Sequence, residues 1–206
     1  MEVCFFHRWN GQKNPEDAVK TLSIECSSAH GSIAVSEGDS LCFSLEFENP
    51  RGRGVEFFAA LEEAASRCDD FQQVLVGTGP GSYNGLRTSI AAAWGLAKAR
   101  GVGLKGIPSV FGYDAPEYSV IGDARAGQWF LAHVRGGALA APIELLTPEQ
   151  STARLATGLP VFSTSPLLDS ACYEAPQARL LARLLDQSGP AEPIYLKPPH
   201  ITKSAA

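Results

Sequence analysis

The chain has 206 residues, a formal net charge of -5, 45% hydrophobic and 19% charged residues, which suits one packed unit or two closely packed lobes. No run of about eighteen apolar residues is present to span a bilayer, so no membrane role is expected. No cluster of Lys and Arg is present to neutralise a nucleic-acid backbone, so any role near RNA runs through a partner.

The stretch from Met1 to Lys20 has one basic residue before Trp9 and no apolar core with a small-residue cleavage site, and reads as an extension rather than a signal peptide. "TLSIECSSAHGSIAVSEGDSLCFSLEFE", residues 21–48, alternates apolar and other residues in three runs broken by turn formers at Ser27 to Gly31 and Glu37 to Ser40. This predicts a three-stranded antiparallel meander. In "VEFFAALEEAASRC", Val55, Phe58, Leu61, Ala65 and Cys68 recur at helical spacing, with Phe57 and Ala64 widening the apolar face. "QQVLVGTG" is a short strand ending in glycine, and "NGLRTSIAAAWGLAKARG" is a helix closed by Gly101 and rich in small residues: Ala91, Ala92, Ala93, Gly95, Ala97 and Ala99. "GLKGIPS" gives a further strand.

Later, "YSVIGDARAGQWFLAHVRGG" predicts two strands around Asp123 to Gly127, and "APIELLT" and "GLPVFST" predict two more. "APQARLLARLLDQSG" predicts a helix with Leu180, Leu181, Leu184 and Leu185 on one side, and "AEPIYLKPPHITKSAA" an apolar touch-down followed by an extended tail. Cys4, Cys26, Cys42, Cys68 and Cys172 are scattered, odd in number and free of C-x-x-C spacing. They read as reduced, mostly packed thiols of a cytoplasmic protein.

"VGTGPGSYNGLRTS", residues 76–89, has the look of a phosphate loop. A Walker loop needs a lysine after its last glycine, and here Leu86 follows Gly85. A dinucleotide fingerprint needs G-x-G-x-x-G, yet after Gly79 and Gly81 the third glycine, Gly85, comes one position late. Gly79, Gly81 and Ser82 stay as weak anion-site candidates through their backbone N–H groups. The alternative is a tight strand-to-helix connection.

The stretch "GTGPGSYNGLRTSIAAAWGLA", followed by "GIPS", resembles the G-x-G-P-G-S-[FY]-T-G-[VL]-R signature of the TsaB (YeaZ) family, a non-catalytic paralogue of TsaD. "TLSIECSSAHGSIAV" is similar to that family's opening hairpin, "GDARAGQWFLA" to its I-D-A-R-x-G segment, and "AEPIYLK" to its closing E-P-x-Y-L-R. The resemblance covers Thr21 to Lys197 and implies an α/β actin-like (ASKHA, ribonuclease-H-like) two-lobed fold: an extension over 1–20, a first lobe over 21–110, a reduced second lobe over 111–197 and a tail over 198–206. It implies a scaffold subunit, not an enzyme, that binds TsaD through a helical bundle and supports threonylcarbamoyl transfer to the adenosine beside the tRNA anticodon. TsaE joins the pair, tRNA is met only through the complex, and the chain can pair with itself through the same helices. No cofactor or metal is implied for the chain itself, with ATP or ADP confined to a partner interface.

Phe57, Phe58, Leu61, Ala65, Arg87, Ile90, Ala91 and Trp94 are the expected partner-facing residues, ordinary core being the alternative for Leu61 and Ile90. Arg87 is expected to hold the loop through carbonyl bonds or to pair with a partner's carboxylate. Asp123 and Arg125 are expected to form an internal ion pair or to cap the turn between two strands, the alternative being an acid and a phosphate clamp. Two departures from the family stand out: Glu25-Cys26 replaces an Asp-Thr pair, and Asn84 replaces the signature threonine, where it is placed to cap the following helix. Glu25 reads as a vestigial site carboxylate or as a polar strand end, and Cys26 as a packed thiol. Two rival classes are a metal-dependent glycoprotease-like peptidase and a small actin-like ATP-binding phosphotransferase. His7, His30, His133 and His200 lie too far apart in sequence for the H-x-x-x-H pair of TsaD, and the chain is short for a kinase with two phosphate loops.

Overall fold

A computed structural model describes residues 18–49, 54–155 and 158–197. Residues 1–17 of the expected extension and the tail 198–206 lie outside the described residues.

The first sheet begins with the expected meander: β1 (Lys20–Glu25), β2 (His30–Glu37) and β3 (Ser40–Glu48), antiparallel in sequence. Helix α1 (Val55–Arg67), β4 (Gln73–Gly77), α2 (Tyr83–Arg100) and β5 (Gly103–Ile107) follow. The strand order is β3-β2-β1-β4-β5, with β4 parallel to β1 and β5 parallel to β4, which is the ribonuclease-H-like arrangement. Strand β1 is covered on both faces. Leu22 and Ile24 pack with Ile33, Val35, Val74 and Val76 under Phe57, Leu61 and Ala93 of the two helices. Thr21, Ser23 and Glu25 fall on alternate positions and are also buried, so they lie toward the second lobe.

Helix α1 buries Phe57, Ala60, Leu61 and Ala64. The predicted stripe is therefore rotated by about one residue, roughly 100°, because Val55 and Phe58 are 70% and 53% exposed. Helix α2 is capped by Ser82, whose side chain accepts from the Gly85 N–H at 3.3 Å; the cap expected of Asn84 is not made. Gly101, at φ +67, closes the helix as expected.

The second sheet contains β6 (Glu117–Asp123), β7 (Trp129–Arg135), β8 (Ala138–Leu139), β9 (Glu144–Leu146), β10 (Val161–Ser163) and β11 (Cys172–Tyr173). Its order, β11-β10-β6-β7-β8 with β9 also on β7, repeats the first sheet's plan with shorter strands. Helix α3 (Pro148–Arg154) starts with a capping box between Thr147 and Gln150. The helix expected over 175–189 is instead one α turn, α4 (Ala178–Leu181), running into a 3₁₀ segment (Ala182–Gln187) in which Leu184 leaves helical geometry at φ -113, ψ 33. The chain turns there so that Gly189 can pair with Gly106 on the edge of the first sheet, N to O 2.8 Å in both directions. Helix α4 lies on the small-residue face of β2, where the Ser32 hydroxyl accepts from the Ala178 N–H at 2.9 Å.

Candidate functional site

The glycine loop joins β4 to α2. Gly79 sits at φ +92, and the Gly79–Pro80 peptide is cis. A Cβ on Gly81 would collide with the Ser27 carbonyl oxygen, and one on Gly85 with that of Cys26. The glycines therefore let the turn after β1 press directly onto the loop. Its donors are engaged inside the protein: the Gly79 N–H donates to Ser109 Oγ at 2.9 Å, and the Ser82 N–H to the Ser27 carbonyl at 2.7 Å. Gly79, Gly81 and Ser82 are adjacent as expected, but the N–H groups of Gly79 and Ser82 do not point into an open anion cradle. This corrects the phosphate-loop appearance of the sequence.

Beneath the loop, Glu25 is fully buried. One carboxylate oxygen accepts the Ser27 N–H at 2.5 Å and the other the Ser109 hydroxyl at 2.6 Å. Burial pushes its pKa up, while the two donors hold it down; the net direction is upward. Burial, reinforced by the Glu25 charge, pushes the Cys26 thiol well above its usual value. It is a packed thiol rather than a nucleophile. Cys42 and Cys172 are exposed, whereas Cys26 is buried and Cys68 is half-buried against the first core cluster, so two of the four described cysteines are the packed thiols expected. At the turn after β6, Asp123 Oδ1 accepts the Arg125 N–H at 2.7 Å; it caps the turn, as one of the readings had it. Arg125, Ala126 and Gly127 all have positive φ, at 61, 53 and 71.

Of the expected partner-facing residues, Phe57 and Leu61 are core at 2% and 9% exposure, and Ala65 is half-buried against the same cluster. Helical geometry turns them under α1, so Phe57 and Leu61 are withdrawn from the surface. Phe58, Arg87, Ala91 and Trp94 are exposed and Ile90 half-buried. Among the described residues Arg87 does not hold the loop through its carbonyls: its Nη1 donates to the Tyr83 hydroxyl at 2.8 Å, with the guanidinium over that ring.

Arg87, Ile90, Ala91 and Trp94 line one wall of an open groove of about 390 Å³, and Pro193 and Tyr195 line the other. The last two were missed by sequence reasoning. They reach the groove because the carboxyl-terminal strap crosses the loop, the Ile194 N–H donating to the Thr78 carbonyl at 2.8 Å and Tyr195 packing 5.2 Å from Tyr83. The "AEPIYLK" touch-down was the available signal. Helix α2 carries Arg87, Lys98 and Arg100 and no carboxylate, whereas α1 carries Glu56, Glu62 and Glu63 against Arg67. The surface thus combines exposed aromatics with faces of opposite charge. Among the described residues, no three His, Cys, Asp or Glu side chains gather as a metal site, and no helix is long and apolar enough to cross a membrane.

The two sheets, their shared strand order and the helices between them define an actin-like α/β protein of two lobes. A family model described as "TsaD: tRNA N6-adenosine threonylcarbamoyltransferase" matches residues 56–133. Two solved structures share the fold. One, described as an uncharacterized protein with similarity to peptidase YeaZ from Pseudomonas aeruginosa, is 18% identical with a TM-score of 0.68, covering 87% of this chain and 100% of that one. The other, YeaZ from Pseudomonas aeruginosa, is 19% identical with a TM-score of 0.65, covering 86% and 100%. No curated protein matches the sequence significantly. The chain is thus similar to the TsaD model over residues 56–133 and shares its overall fold with the two YeaZ-type structures.

Proposed function

We propose that the chain is a non-catalytic scaffold that binds TsaD and supports threonylcarbamoyl transfer to the adenosine beside the tRNA anticodon. The observation that carries this reading is the outward face of α1 and α2, where Val55 and Phe58 are 70% and 53% exposed on one helix and Trp94, which lines the groove, is 59% exposed on the other. Helix-on-helix docking accounts for large apolar side chains there better than solvation does. In this reading TsaE joins the assembled pair in the cytoplasm, tRNA is met only through the complex, and any ATP or ADP sits at a partner interface. Without TsaD the same face pairs with a second copy, α1 supplying carboxylates and α2 cations.

The test is co-expression with TsaD and TsaE of the same organism, followed by gel filtration and a tRNA-modification assay. Co-elution and modification are expected, and the double variant Phe58→Arg/Trp94→Arg loses both while keeping the melting temperature of the parent. Co-elution unchanged in that variant sinks the reading.

A further inference from the structure

Glu25 is the sole buried carboxylate among the described residues, and its surroundings are those of a bound ligand. The Ser27 N–H donates to one oxygen at 2.5 Å and the Ser109 hydroxyl to the other at 2.6 Å. The hydroxyl has a single proton, and its oxygen is already the acceptor of the Gly79 N–H at 2.9 Å. With the Gly79 N–H on one lone pair, the hydroxyl proton is placed to point at Glu25, and both carboxyl oxygens face donors. Space is reserved as well: a Cβ on Gly77 would occupy the position of the carboxyl oxygen.

The two donors, and the Gly79 N–H that bonds one of them, come from three separate pieces of chain. Ser27 belongs to the turn after β1, Gly79 to the glycine loop, and Ser109 to the 3₁₀ turn Ser109–Phe111 that leads from the first sheet to the second. The Ser109 N–H also donates to the Gly79 carbonyl at 2.8 Å, so loop and turn are bonded in both directions.

We propose that the Glu25 carboxyl group is a built-in ligand of the pocket beneath the glycine loop, filling a carboxylate-binding site, formed by the Ser27 N–H and the Ser109 hydroxyl, that accepts a small free monocarboxylate once the side chain is removed. The site is selective for a carboxyl over an amide of the same shape, because an amide NH₂ presents a donor to a donor. This inference is independent of any partner.

The test uses the full chain. Glu25→Ala is expected to melt below the parent, and acetate or formate raises its melting temperature saturably. Acetamide, and chloride at matched ionic strength, leave it unchanged, and the parent responds to none of them. Adding Ser109→Ala weakens the half-saturating acetate concentration about tenfold, the loss of one hydrogen bond to a charged group. Equal rescue by acetamide, or no rescue by acetate, overturns the proposal. Should Glu25→Ala fail to fold, Glu25→Gln decides: a lower melting temperature than the parent agrees with the donor set, and parity overturns it.

Discussion

The two sheets share one plan and differ in what covers them. The first has strands of five to nine residues and two long helices, α1 of 13 residues and α2 of 18. The second keeps the order, but β8, β10 and β11 have two, three and two residues, and residues 164–171 between β10 and β11 form no helix. The second lobe keeps a small core of its own around Ile121, Leu131 and Leu146, but not on both faces of its sheet. Its apolar face borrows from the first sheet: Leu75 and Ile107 join Val110, Phe111, Tyr113, Tyr118, Val120, Phe130, Phe162 and Leu181 in a single cluster. One lobe thus offers helices outward and the other survives by packing inward. Strand order is cheaper to keep than independent stability.

The sharpest way to break that comparison is to damage the shared cluster from the second lobe. Leu181 is fully buried, and Leu181→Ala is expected to cost about 2–5 kcal/mol. The two lobes should melt together, as reported by Trp94 in the first and Trp129 in the second. Two separate fluorescence transitions would show that each lobe folds alone. Next in size is Gly81→Ala, which drives a Cβ into the Ser27 carbonyl and is expected to cost roughly 1–3 kcal/mol through backbone displacement. Chemical denaturation measures it, and an unchanged midpoint would mean that the turn after β1 does not press on the loop.

The Glu25 pocket gives a smaller, pH-dependent effect. Glu25 faces the Ser27 and Ser109 donors, the Tyr113 phenol and the neighbouring Cys26 thiol, and burial raises the pKa of all three titratable groups. With the folded carboxyl pKa above the unfolded value, its contribution is complete below the unfolded carboxylate range and is lost as pH rises through the folded pKa. Glu25→Gln has no such titration. The melting-temperature gap between parent and Glu25→Gln should be widest in acid and narrow on raising the pH, while both thiol and phenol remain protonated. A gap that widens instead would put the folded pKa below the unfolded one.

Much of this was legible locally. Period-two alternation found β1, β2, β3, β6 and β7, and a glycine after a small-residue run found the end of α2. The face of α1 was misread because Val55 and Phe58, apolar but 70% and 53% exposed, imitate core residues in the pattern. The leucine repeat after Ala178 imitates a helix whose second turn is broken by the chain's return to Gly106, a contact 83 residues back in sequence. Short α3 was not predicted, although Thr-Pro-Glu-Gln, a cap followed by proline and a glutamine, carried its signal. The groove wall of Pro193 and Tyr195, and the burial of Glu25, depend on long-range packing that no local window contains. A carboxylate is seldom buried, so composition argued against finding one there.

The smallest expected effect bears most directly on the outward-facing lobe. Gly95 stands in the middle of α2, exposed, with open space where a Cβ would go. Nothing within the chain requires a glycine there, and helix propensity favours alanine by about 0.5–1 kcal/mol. Gly95→Ala should therefore raise the stability of the isolated chain by that amount, a gain readable in denaturant midpoints. Gly95 is one turn beyond Ala91 on the face that also carries Trp94, so a partner helix docked there approaches it closely. Gly95→Leu should then leave the isolated chain folded yet weaken co-elution with TsaD. If Gly95→Leu binds as well as the parent, the glycine does not serve that contact, and the docking face narrows to the groove between Trp94 and Tyr195.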